Sequence, residues 1–140
     1  MSEIITVGLD LAKSVFQAHG ADGNGRAQEV AAGSGAGFFG QLPACVVAME
    51  DCGGTHFRGR EIGKLGHDVR LIPPAYVKPV VKRQKNDAAD ADAICEAALR
   101  PTMRFVPVKS EETQGAAMVF RVRELLIRQR FQAINALRGI

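Results

Sequence analysis

The sequence predicts an α/β domain, a mixed β-sheet with helices on its faces, followed by one long C-terminal helix. Three observations point there. The first thirty residues read as strands joined by tight turns. Residues 45–72 read as strand, helix, strand. From about Glu111 onward apolar residues recur at helical spacing with no proline. A β-meander gives antiparallel neighbours, and a strand–helix–strand crossover gives parallel ones, so together they make a mixed sheet. At 140 residues the chain has the length of one ordinary domain.

The elements follow in order. Residues 4–9, IITVGL, are β-branched and apolar and read as a central strand ending at Asp10. Residues 14–20, SVFQAHG, alternate, and a turn at Leu11–Lys13 leads into this second strand. Asp22-Gly23 and Asn24-Gly25 are hairpin signals, so residues 26–31 return as a third, weaker strand. The stretch AAGSGAGFFGQLP predicts a turn plus a short helix. It is no phosphate loop, because no Gly-Lys-Ser/Thr follows. Residues 45–49, CVVAM, form a buried strand running into Glu50. Residues 54–65 form a helix with Thr55 as its cap, Ile62 and Leu65 inward, and Gly66 as its stop. Residues 68–72, DVRLI, form a strand closed by Pro73-Pro74.

Asn86 or Asp87 caps an alanine-rich helix from about 88 to 99, which Arg100-Pro101 ends, and residues 104–108 are a short extended piece. Val119, Val122, Leu126, Ala133, Leu137 and Ile140 share one helical stripe, widened by Phe120, Ile127, Phe131 and Ile134. That face is too broad for a lone surface helix and lacks a strict heptad seam. The helix runs to the last residue without a cap, so the chain is expected to stop in mid-helix as the first part of a longer protein. A partner is expected to cover the stripe, making residues 111–140 the seat of a homo-oligomer, a dimer or higher.

Composition excludes several classes. With 46% hydrophobic and 24% charged residues the chain is no disordered tail. No apolar run approaches the roughly 18 residues of a membrane span, and Glu3 and Asp10 break any secretory signal. Cys45, Cys52 and Cys95 are odd in number and widely spaced, so they read as reduced thiols in a cytoplasmic protein. Cys52 and His56 lack the second Cys/His pair of a zinc site. The net charge is only +3, but the basic residues cluster. Lys78, Lys82, Arg83 and Lys85 fall in one run. Arg121, Arg123, Arg128 and Arg130 lie on the long helix against a lone Glu124. Either set alone could be a solvated face. Together, and with Lys13, they make nucleic acid the expected partner. Tyr76 and the scattered phenylalanines read as core, so no platform for single strands is expected.

Four carboxylates fall where phosphodiester chemistry wants them. Asp10 ends the first strand and Glu50 the strand 45–49. Asp87 and Asp90 lie three apart on one face of a helix start. Strand ends and a helix start can converge at one sheet edge. Clustered carboxylates repel unless cations neutralise them. Mg²⁺ suits a few carboxylates with waters and phosphate, and Mn²⁺ can substitute. Two such ions about 4 Å apart clamp the attacking and leaving oxygens of a phosphodiester. Singly each acid has a plainer role, as a turn residue, a solvated loop pair with Asp51, or a first-turn acid stabilising a helix. The combination, with a basic run leading into the acid pair, argues for a shared site.

The motifs VGLDLAKS at 7–14, MEDCGGTH at 49–56 and KNDAADADAI at 85–94 resemble the N-terminal domain of the DEDD transposases of the insertion-sequence 110 family. Their order and spacing match along essentially the whole chain. The resemblance implies a ribonuclease-H-like (RuvC-like) catalytic domain over 1–108. Over 109–140 it implies the start of a helical, coiled-coil-like region that continues into a serine-bearing domain absent here. It implies that Asp10, Glu50, Asp87 and Asp90 bind Mg²⁺, and that the enzyme cleaves and exchanges DNA strands under a bridge (guide) RNA. Asp51 stands where the family often has a small residue; Glu50 is the better ligand because it directly follows the strand. The acids of one subunit would act with the serine of another, so this chain would hold half an active site.

Other functions remain in view at the level of sequence. A standalone RuvC-like nuclease, such as a junction resolvase, needs the same acids and no serine, and metal-dependent cleavage by this chain alone would mark it. A non-catalytic module for nucleic-acid binding and assembly would show salt-dependent binding without cleavage. An actin-like ATPase also opens with Gly-x-Asp, but its second phosphate loop and adenosine site have no room here.

Overall fold

The computed structural model describes residues 4–12, 15–22, 27–33, 36–80 and 87–139. Its five strands are β1 (Ile4–Ala12), β2 (Val15–Asp22), β3 (Ala27–Gly33), β4 (Val46–Glu50) and β5 (Asp68–Ile72). They form one sheet in the order β3-β2-β1-β4-β5. β2 is antiparallel to β1 and β3, whereas β1, β4 and β5 run parallel. The helices are α1 (Ala36–Phe39), α2 (Thr55–Lys64), α3 (Pro74–Val77), α4 (Asp87–Ala98) and α5 (Glu111–Arg138), with a 3₁₀ turn at Lys78–Val80. The mixed sheet, its flanking helices and the long C-terminal helix are all present.

Alternation along the strands splits the core into two layers. Val7 and Leu9 of β1, Val47 and Met49 of β4, and Leu71 of β5 bury one sheet face with Phe39 and Ile62. Ala48 and Ile72 bury the other face with Val77, Val80, Ile94 and Ala97. β1 presents Gly8 to this second face. A Cβ built on Gly8 would lie 2.4 Å from the Ala91 carbonyl oxygen and 2.6 Å from the Cys95 nitrogen. A glycine in mid-strand therefore lets α4 lie directly on β1.

The chain divides into two compact units, Met1–Val108 and Lys109–Ile140. In the second, Ser110 caps α5 by accepting from the Thr113 N–H at 3.2 Å, and Glu111 and Glu112 fill the first turn. α5 ends at Arg138, and the Gly139 N–H bonds the Asn135 carbonyl at 3.0 Å. This is the helical i→i−4 pattern, with Gly139 in the right-handed helical conformation; Ile140 lies outside the described residues. Among the described residues no helix is long and apolar enough to cross a membrane.

Several local expectations need correction. β1 runs two residues past Asp10, because Leu11 and Ala12 still pair with Phe16 and Val15 of β2, so Leu11 and Ala12 are strand rather than turn. Gly54, not Thr55, is the N-cap of α2, and no side chain caps it. Leu65 lies past the end of α2 and is 45% exposed rather than inward. Pro74 does more than close β5: it occupies the start of α3, where its fixed φ and missing N–H suit a helix start. Tyr76, expected in the core, is 49% exposed. The extended piece 104–108 docks on β5, with the Val106 N–H donating to the Leu71 carbonyl at 2.8 Å.

Candidate active site

The acids of β1 and β4 meet through register. The two strands pair in parallel from Thr6↔Val46 to Leu9↔Met49, so one step further sets Asp10 beside Glu50. Both fall on the alternation that carries Gly8 and Ala48 to the α4 face. Asp10 and Glu50 line one cleft of about 230 Å³ together with Leu9, Leu11, Cys52 and Thr55. Two hard oxygen donors in one cleft are the donor chemistry that Mg²⁺ or Mn²⁺ takes, so these two residues fit such an ion.

The loop behind Glu50 is fixed by a buried threonine. Thr55 Oγ1 accepts from the Cys52 N–H at 2.9 Å and donates to the Cys52 carbonyl at 2.8 Å. Asp51 turns to the buried His56, whose Nε2 lies 3.1 Å from Asp51 Oδ1. This separates the neighbouring acids: Glu50 lines the cleft and Asp51 has an imidazole partner.

α4 runs antiparallel to β1 across Gly8. The Cys95 thiol faces the Thr6 carbonyl at 3.9 Å, and Ala91 sits over Gly8. Four helical residues rise about 6 Å and two strand residues about 6.6 Å. One turn before Ala91 is Asp87, and two residues beyond Gly8 is Asp10. The backbones thus carry Asp87 toward Asp10, although the Asp87 side chain lies outside the described residues. Asp90 is half-buried on α4 and does not line the cleft. Among the described residues no group of three or more His, Cys, Asp and Glu is close enough to hold an ion, and this includes the Cys52–His56 neighbourhood.

The other candidates divide similarly. Lys13, Lys82, Arg83 and Lys85 lie outside the described residues. Lys78 is exposed at the start of the 3₁₀ turn. Arg121, Arg123, Arg128 and Arg130 are exposed on α5, where Arg121/Arg128 and Arg123/Arg130 form two columns seven residues apart. Of the cysteines, Cys52 is exposed, while burial pushes the Cys45 thiol up and that of Cys95 to about 11. His67 is a satisfied core histidine. Its Nε2–H donates to the Phe39 carbonyl at 2.8 Å, and its Nδ1 accepts from the Cys45 N–H at 3.3 Å. Sequence reasoning missed the roles of Gly8 and Thr55. The signal for Gly8 was a glycine inside a β-branched run; Thr55 gave none beyond its place at a helix start.

A family model described as a transposase, that of the DEDD transposases of the insertion-sequence 110 family, matches residues 41–140. The chain is 52% identical over 137 residues to a "Probable family 20 transposase" of Pseudomonas aeruginosa, covering 96% of this chain and 40% of that protein. It is 41% identical over 138 residues to the "Transposase for insertion sequence element IS1328" of Yersinia enterocolitica, covering 96% of this chain and 41% of that protein. It thus spans about 40% of the length of these curated relatives. A T. thermophilus RuvC solved in complex with a Holliday junction substrate superposes with a TM-score of 0.46 at 12% identity, over 74% of this chain and 100% of that one.

Proposed function

The chain belongs to the DEDD transposases of the insertion-sequence 110 family, and we propose that it forms the acidic, metal-binding part of a DNA strand-cleaving and strand-exchanging enzyme. The observation that carries this reading is the single cleft lined by Asp10 and Glu50 at neighbouring parallel strands. In this reading Asp10, Glu50, Asp87 and Asp90 hold Mg²⁺, or Mn²⁺ in its place. The ion supplies charge neutralisation at a scissile phosphate. Thr55 fixes the loop that carries Glu50, and the Gly8 contact sets the height of Asp87 on β1. Lys13, Lys78, Lys82, Arg83 and Lys85 hold the nucleic-acid backbone near the acids; Arg121, Arg123, Arg128 and Arg130 hold it along α5. DNA is the substrate, a guide RNA selects it, and a second copy joins through residues 111–140. The nucleophilic serine comes from a domain outside this chain, and the enzyme works in the cytoplasm.

The test is a calorimetric titration of Mg²⁺ and Mn²⁺ into the chain and into its Asp10→Ala and Asp87→Ala variants. We expect binding that weakens at least about tenfold in each variant, which is roughly 1.4 kcal/mol. Equal affinity in all three proteins would remove the acids from the site. The chain alone should leave DNA strands unexchanged; exchange by it alone would refute the missing-serine part.

A further inference from the structure

We infer that Tyr76 is a stacking platform for one unpaired nucleic-acid base, on the turn that leaves the sheet edge carrying Glu50. This rests on the nucleic-acid reading above and adds to it a residue and a ligand class, the exposed base of a single-stranded DNA or RNA segment. β5 runs parallel to β4, and Ile72 is the register partner of Glu50. The chain leaving Ile72 therefore leaves from the sheet edge where Glu50 stands. Tyr76 follows four residues later, and four residues reach at most about 14 Å. The Tyr76 backbone thus lies within that reach of Ile72, the register partner of Glu50.

The turn that carries the ring is fastened. Pro73 and Pro74 open it, and the Tyr76 N–H donates to the Pro73 carbonyl at 2.9 Å. Val77 and Val80 are buried in the cluster that holds Ala48, Ile72 and Ile94. Yet Tyr76 keeps 49% of its surface exposed, and its side chain has no hydrogen bond or ring contact among the described residues. A single exposed aromatic is ordinary on a protein surface. Two things set this one apart: its backbone is held on both sides, and Lys78, exposed two residues on, presents an ammonium suited to phosphate. An exposed flat ring on a fastened turn, with a cation in the same segment, supplies the two kinds of group that bind single strands. The base stacks, the phosphate is neutralised, and sequence matters little.

The chain has one tyrosine and no tryptophan, so its tyrosine emission comes from Tyr76 alone. The experiment titrates the chain with oligothymidylate, oligouridylate and an abasic strand of equal length, following tyrosine emission and, with labelled strands, anisotropy. The expected result is quenching that saturates with binding of a base-bearing strand, while the abasic strand binds without quenching. Whether the DNA or the RNA strand quenches more strongly identifies the source of the base. Tyr76→Ala should weaken the base-bearing strand roughly 5- to 100-fold, leave the abasic strand unaffected, and keep its circular dichroism; Tyr76→Phe should retain the affinity. Strand binding with unchanged emission, and unchanged affinity in Tyr76→Ala, overturns the platform and leaves the nucleic-acid reading standing. No binding of any strand at low salt overturns both.

Discussion

Gly8 shows how one missing side chain positions a site. A methyl group there would sit 2.4 Å from the Ala91 carbonyl oxygen, a backbone atom that cannot rotate away. α4 would have to lift from β1, carrying Asp87 with it. Gly8→Ala should therefore cost at least about 2 kcal/mol in urea unfolding and weaken metal binding more than stability alone explains. Cys95, beside the same contact, carries a pH prediction. Burial raises its thiol to about 11 from the ordinary 9.0; a hydrogen bond from Gly8 opposes that rise and the Asp92 charge adds to it. The folded chain then holds a proton that the unfolded chain releases. Its contribution is fully present below about pH 9 and is lost as pH rises through about 11, a change of about 2–3 kcal/mol. Unfolding free energies measured across that window should fall with pH, and the fall should flatten in Cys95→Ala.

Elements built from local pattern were legible; those set by a distant partner were not. The β5 boundaries and those of α4 fall within a residue of the sequence reading, because alternation, β-branching and alanine content are local signals. The role of Thr55 was not legible, since its hydroxyl serves the Cys52 backbone rather than the helix end. Thr55→Val would take the acceptor from the part-buried Cys52 N–H, so it should cost about 1 kcal/mol and loosen the loop behind Glu50. In α5 two substitutions should act with opposite sign. Ser110→Ala removes the acceptor for the Thr113 N–H and should cost about 1 kcal/mol. Gly115 sits inside the helix with open space where a Cβ would go, so Gly115→Ala should add about 0.5–1 kcal/mol. Thermal unfolding followed at 222 nm checks both.

For the whole molecule, strand order marks how much of the site could be read without coordinates. Asp10 and Glu50 were each legible as an acid at the end of an apolar strand, but the crossover read from residues 45–72 joins β4 to β5, and the parallel pairing of β1 with β4 that brings the two acids together is seen in the structure. The turn holding Tyr76 could not be read either, because Pro73-Pro74 signals an end and not the short helix that turns the ring outward. The breadth of the stripe on α5 was legible, and its consequence is testable. Met118, Val119, Phe120, Val122, Leu125, Leu126, Phe131 and Leu137 are each at least 48% exposed. Apolar surface on this scale gains about 25 cal/mol per Å² when covered, and in the proposed reading a second copy covers it. Val119 and Leu126 lie seven residues apart on one face. Sedimentation equilibrium should therefore show a dimer or larger species whose population follows mass action over roughly a hundredfold concentration range. The Val119→Glu/Leu126→Glu double variant should sediment as a monomer while keeping the helical circular dichroism of the wild type. A wild-type monomer across the whole range would sink the self-association reading and leave the remaining length of the longer relatives as the surface that meets α5.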